Sequence, residues 1–186
     1  MRRLKLRKRS ACVLAVIAVS LAISVSMRRE VAVEVYLWTL KNGSYDAQLN
    51  AVVKLAKLRT SRSISETCIL FENSPSDSVY RSALIELGTD AVPCLVRNLM
   101  SDNEDNRIAA ASLLRSLGSD ANDATSALGY ALFDKSDLVR YWAAYAFRYI
   151  DSIGPGAVDR LKDLAEHDNN SDVRLIAEQV VQERGL

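Results

Sequence analysis

The chain is poor in the residues that make most catalytic centres. It holds one histidine, His167, which excludes multi-histidine metal sites and most histidine-assisted catalysis. Its three cysteines, at 12, 68 and 94, are not spaced for zinc. Cys12 lies in an apolar run without a lipobox-like context. Cys68 and Cys94 read as small buried hydrophobes, open to oxidation only outside the cytoplasm. No glycine-rich phosphate loop and no Gly-x-Ser-x-Gly elbow is present. With three prolines and seven glycines, a loop-rich β protein is excluded, and the long unbroken stretches point to helix. The carboxylate runs SDNED (101–105), SDAND (119–123) and DNNSD (168–172) lack the order of a twelve-residue calcium loop and read as helix caps and solvated turns. No cofactor, metal or small-molecule substrate is expected.

Acid is missing from one end. Residues 1–29 carry eight bases and no acid, so all 23 acids lie beyond them, against 16 bases. An acidic body is a poor footprint for nucleic acid, where phosphate neutralisation drives affinity. The basic end precedes ACVLAVIAVSLAISVSM (11–27), which has no charge. As a helix this run spans about 26 Å, a short fit to a bilayer core of roughly 30 Å. Six bases before it and two after it keep the N-terminus in the cytoplasm and send the body outward. The expected division is a basic tail (1–10), a transmembrane signal anchor or a cleaved signal peptide (11–27), and a body from 29 to 186. Single-pass residence in the inner (cytoplasmic) membrane follows from the anchor; a secreted or periplasmic protein follows from cleavage.

The body repeats itself. DNEDNRIAAASLL (102–114), DKSDLVRYWAAYAF (134–147) and DNNSDVRLIAEQVV (168–181) align on Arg107, Arg140 and Arg174, which are 33 and 34 residues apart. Three residues on stand Ala110, Ala143 and Ala177; seven on stand Leu114, Phe147 and Val181. Before each arginine comes an aspartate: Asp102, Asp134, Asp168. Each unit reads as two helices, with first helices AVPCLVRNLM, ATSALGYALF and GAVDRLKDLA. Pro93 and Pro155 sit near helix starts, Asp90 and Ser152 read as caps, and Gly88, Gly118 and Gly154 read as helix-ending signals. In weaker form, residues 40–58 align on 132–150, with Asn42 and Gln48 in place of Asp134 and Arg140. SISETCILF (63–71) and SDSVYRSALIELG (76–88) supply another pair, giving about five units. One such unit cannot bury its apolar stripe alone, and stacking gives one continuous core. The expectation is all-α: a right-handed α-solenoid of about five two-helix units, preceded by one N-terminal apolar helix.

The phrases LGTDAVPCLVRNLMSD, LVRYWAAYAF and SDVRLIAEQV resemble HEAT repeats, particularly short bacterial HEAT-like ones. That resemblance implies a ladder of Asp–Arg pairs between neighbouring units, drawn from Asp102, Asp134, Asp168, Arg107, Arg140 and Arg174. Together with the N-terminal apolar run and the missing catalytic constellation, the repeat points to a membrane-anchored scaffold that binds another protein and performs no catalysis. Tyr141, Tyr145, Arg148 and Tyr149 form the candidate partner-binding face, because large amphipathic rings and arginine anchor interfaces. The alternatives are an enzyme or enzyme subunit of the HEAT-like bilin-lyase type and a structural envelope spacer.

Overall fold

The computed structural model describes residues 25–186. Residues 25–42 are helical (α1), followed by α2 (Tyr45–Leu58), α3 (Ser61–Asn73), α4 (Ser78–Leu87), α5 (Val92–Leu99), α6 (Glu104–Leu117), α7 (Thr125–Ala131), α8 (Asp137–Ala146), α9 (Pro155–His167) and α10 (Ser171–Arg184). No strand occurs among the described residues. Of the apolar run 11–27, only the last three residues are described, and they are helical. Among the described residues no helix is long and apolar enough to cross a membrane.

The helices pair as α1–α2, α3–α4, α5–α6, α7–α8 and α9–α10, five units in register with the repeat. The second helices form a continuous row in which α4 packs on α2, α6 on α4, α8 on α6 and α10 on α8. The first helices α5, α7 and α9 form a parallel outer row. Alanine makes the inner row close: Ala51, Ala83, Ala110, Ala143 and Ala177, one per second helix, are all buried. Phe71, Leu87, Leu114, Phe147 and Ile150 fill the space between units with no exposed surface. Each such burial is worth about 1.5–3 kcal/mol.

The core is not one body. Val33, Leu40, Ala51, Val52, Leu55, Val79 and Ala83 form a cluster of their own, separate from the larger one that runs from Ala56 and Cys68 to Val180. The division falls inside α4, whose Val79 and Ala83 join the small cluster while Leu84 and Leu87 join the large one. Half-buried Tyr80 touches both. Contacts in stacked repeats run only between neighbours, so a unit can lie in two cores at once.

Helix ends follow the turn chemistry, with some reassignment. Asn103 and Asn170 cap α6 and α10 by accepting amide bonds from Asp105 and Asp172, each at 2.8 Å. Asp77 caps α4, and Thr60 and Ser63 form a reciprocal capping box on α3. Gly88 and Gly118 end α4 and α6 at φ +59° and +58°, a backbone region where a side chain is strained, and each leads into a 3₁₀ turn. Gly154 does not end a helix. α8 stops at Ala146, and Gly154 is the N-cap of α9, the position expected of Ser152. Asp90 caps nothing. It sits in the 3₁₀ turn before α5 and accepts from Arg59, which closes α2 in the left-handed region at φ 45°.

Candidate functional site

The second-helix row carries two sets of polar ties between units. The inner set is a ladder. Arg107 reaches Asp134 of the next unit through Nε (2.8 Å) and Nη2 (3.2 Å), and Arg140 reaches Asp168 through the same two nitrogens (2.8 and 2.9 Å). Each arginine spends Nη1 on its own unit. Arg107 donates to the carbonyls of Ser101 and Asp102, and Arg140 to those of Asp134 and Lys135. The acceptor carboxylate is also ordered by its own turn, since Asp134 accepts the Ser136 amide and Asp168 the Asn170 amide, each at 2.9 Å. The planar fork matches a carboxylate in both direction and spacing, which a lysine would not do.

The ladder has ends. Among the described residues Arg174 donates to the carbonyl of Asp168 and reaches no carboxylate. Tyr80 occupies the arginine position of the second unit, three residues before Ala83, so no arginine reaches the Asp102 carboxylate among the described residues. In the first unit Gln48 donates to the Leu40 carbonyl at 3.0 Å, keeping the bond to its own turn without the charged rung. Burial pushes the Asp168 carboxyl up, and the bonds from Arg140 and the Asn170 amide outweigh it, leaving it below its ordinary value. The matching effect raises the Arg140 guanidinium.

Caps add a further tie. Ser136, the N-cap of α8, donates to Glu104 at the start of α6 (2.7 Å). Asn170, the N-cap of α10, donates to Asp137 at the start of α8 (2.6 Å). The carboxylate runs thus have structural work to do. No cluster of three or more metal-ligating side chains occurs among the described residues. His167 is exposed at the end of α9 beside Asp163, with Nδ1 3.3 Å from Oδ1.

The aromatic face is a hub between units. Tyr145 stands at its centre. Trp142 stacks on it at 6.0 Å, Tyr141 meets it edge-on at 6.0 Å, and Tyr149 lies 5.8 Å away. Arg115 of the unit before lies over the Tyr145 ring at 4.5 Å and bonds its hydroxyl at 3.3 Å. Arg148 lies 5.4 Å from the same ring and forks onto Glu183 of the unit after, at 2.7 and 2.5 Å. The Arg115 bond is the main cause that draws the Tyr145 phenol below its ordinary value. Tyr141 and Tyr145 pack against the core and are half-buried; Tyr149 is exposed. Of the four candidate residues, Tyr145 and Arg148 are engaged within the protein, joining the units of α6, α8 and α10.

What remains open beside this hub is a groove between α8 and α10, of about 260 Å³, lined by Leu138, Tyr141, Leu175, Ile176 and Gln179, with Asp137 and Asp172 at its edge. Leu138 and Leu175 are each about half exposed, at 51% and 55%. Neither stands out in the sequence, because an apolar residue at the start of a helix gives no sign of whether a neighbour will cover it. Arg115 was open to detection, since it and Arg148 are 33 residues apart, the repeat spacing itself.

The comparison with curated proteins found no match. Among solved structures, the crystal structure of an engineered protein is similar with a TM-score of 0.47 and 19% identity, over 80% of this chain and 77% of that one. Residues 92–182, the stretch from α5 to α10 that holds both complete rungs of the ladder, match the family model for HEAT repeats.

Proposed function

We propose that the chain is a membrane-anchored HEAT-repeat scaffold, a right-handed α-solenoid that binds another protein by surface complementarity and performs no catalysis. Its N-terminus lies in the cytoplasm, residues 11–27 cross the inner membrane, and the repeat body stands outside. Support for the anchor is the basic tail and uncharged run, together with α1 beyond them. That helix buries Val33 and Leu40, and on its opposite side leaves Met27, Val31, Val35 and Trp38 exposed, Trp38 at 66%. An end unit normally turns a polar face outward; here exposed apolar side chains stand among Arg28, Arg29, Glu30 and Glu34.

The observation that carries the binding reading is the groove between α8 and α10 within the matched repeats. Its apolar floor and acidic edge suit an extended segment that carries aliphatic and basic side chains. A photo-cross-linker placed at Leu138 in the full chain, in its own membrane, tests it. The expected result is one discrete adduct that Leu175→Asp abolishes. An adduct pattern unchanged by that substitution overturns the groove. An alkaline phosphatase fused after Leu186 should be active; activity of a cytoplasmic reporter alone overturns the topology.

A further inference from the structure

Cys68 on α3 and Cys94 on α5 are both buried and both free thiols, each 3% exposed. They belong to consecutive units, whose first helices are tied through Glu72. Glu72 of α3 accepts from Arg97 at 2.8 and 3.1 Å and from Asn98 at 3.4 Å. Cys68 precedes Glu72 by one helical turn, and Cys94 precedes Asn98 by one turn, so both facing pairs are 26 residues apart. Asn98 closes the figure from within α5, with Nδ2 3.8 Å from the Cys94 Sγ. The neighbouring thiol draws Cys68 down and pushes Cys94 up, and the Arg97 guanidinium beside the pair favours the thiolate of either one.

The place matters as much as the contact. This is the junction between the second and third units, where Tyr80 replaces the ladder arginine and Asp102 has none to meet. The next two junctions have their buried Arg–Asp rungs; this one has the cysteines.

We propose that Cys68 and Cys94 close as a disulfide that staples the second unit to the third, a modification that rests on the reading that the body is exported to an oxidising compartment. The oxidant is an incoming disulfide, either a small-molecule one or that of a thiol oxidoreductase. The Cys68 thiolate attacks one of its sulfurs and expels the other as a thiol, leaving a mixed disulfide on Cys68. Cys94 gives its proton to solvent and attacks the Cys68 sulfur, expelling the second thiol. Two protein thiols are oxidised by two electrons, and the incoming disulfide is reduced to two thiols. With both sulfurs this well covered, the exchange takes place as the chain folds, before the units close over it.

The test counts thiols on the full-length protein, which has three cysteines. Membranes are quenched in acid, unfolded in detergent and alkylated with a maleimide-polymer, with and without prior reduction. The expected result is one labelled thiol, Cys12, without reduction and three after it, with a linked peptide pair that contains Cys68 and Cys94. Cys68→Ser and Cys94→Ser should each give two labelled thiols under both conditions. In parallel, purified reduced protein is refolded from urea in oxidised glutathione. If the pair closes there but is open in the membrane sample, the disulfide site stands and the export reading falls. If all three thiols stay free after refolding, or if the linked peptide joins Cys12 or a second chain, the proposal is overturned.

Discussion

Arg140 makes four hydrogen bonds in the ladder, as Arg107 does, and its removal should be costly in a way its sequence position alone does not convey. Its side chain is 13% exposed and that of Asp168 only 4%. Arg140→Ala deletes a two-pronged charged contact and two bonds to the carbonyls of Asp134 and Lys135. The main loss is not the attraction itself but the buried Asp168 left behind, with only the Asn170 amide to hold it. Breaking a buried pair from one side costs about 3–5 kcal/mol, against a total stability of about 5–15 kcal/mol for an ordinary domain. With a urea slope of about 2 kcal/mol/M, the unfolding midpoint should fall by about 1.5–2.5 M. Arg174→Ala is the internal control. That arginine holds one carbonyl and no carboxylate, so its loss should cost about 1 kcal/mol. The double variant Arg140→Met with Asp168→Leu should recover most of the deficit, because no charge is stranded. Equilibrium urea unfolding followed by far-ultraviolet circular dichroism measures all three. Equal losses at Arg140 and Arg174, or a double variant as poor as the sum of its single changes, would refute the reasoning.

Further outcomes follow from the same geometry. Because the folded Asp168 carboxyl is more acidic than the unfolded one, the unfolded chain binds more protons as pH falls; its stabilisation is complete above the ordinary carboxylate range and is lost as pH drops through about 4 and below, which a urea series against pH should show and Asp168→Asn should flatten. Gly118→Ala should cost about 1–3 kcal/mol through the backbone alone, since φ +58° with ψ −127° is open mainly to glycine while the added carbon would meet Tyr149 Cβ at an ordinary 3.6 Å; a neutral result in thermal unfolding would count against that backbone. Tyr145→Phe should remove a phenol that ionises below its ordinary range from a near-ultraviolet pH titration, and Arg115→Ala should move that same transition upward.

The parts of the fold legible in the sequence are those written by period. The spacing of Arg107, Arg140 and Arg174 locates three units, and the alanine three residues later marks the buried face in every second helix, including the weak first and second units. The rungs between neighbours are implied by the resemblance to HEAT repeats, not by the period itself. What the period does not encode is how a side chain divides its attention. Tyr145 and Arg148 look like free anchors because they lie off the buried stripe; that face in fact meets Arg115 and Glu183 of adjoining units. Pairing across units depends on the offset between successive helices, about one repeat less three residues for Arg115 to Tyr145 and one repeat plus two for Arg148 to Glu183, and no single-helix pattern carries that offset. Gly154 misleads for a related reason. Its place after a second helix matches Gly88 and Gly118, but α8 stops at Ala146, leaving the glycine to start the next helix rather than end the last.

A stack of apolar stripes does not fix its own geometry, because one alanine-lined helix can slide or rotate on the next at little cost in buried area. The directional contacts remove that freedom. A forked arginine that grips its own turn by one nitrogen and the next unit's carboxylate by two others sets distance and rotation together, and the N-cap contacts of Ser136 and Asn170 set the tilt. These devices are concentrated from α6 onward. Toward α1 the ties are solvent-exposed pairs, Arg59 with Asp90 and Arg62 with Glu30 and Glu34, each worth about 0–1 kcal/mol, and the core itself divides at α4. A disulfide between Cys68 and Cys94 would close a loop of about 27 residues and add about 3–4 kcal/mol at the seam between the two regimes. The buried directional contacts thus surround the groove between α8 and α10, and the N-terminal units are tied by exposed pairs.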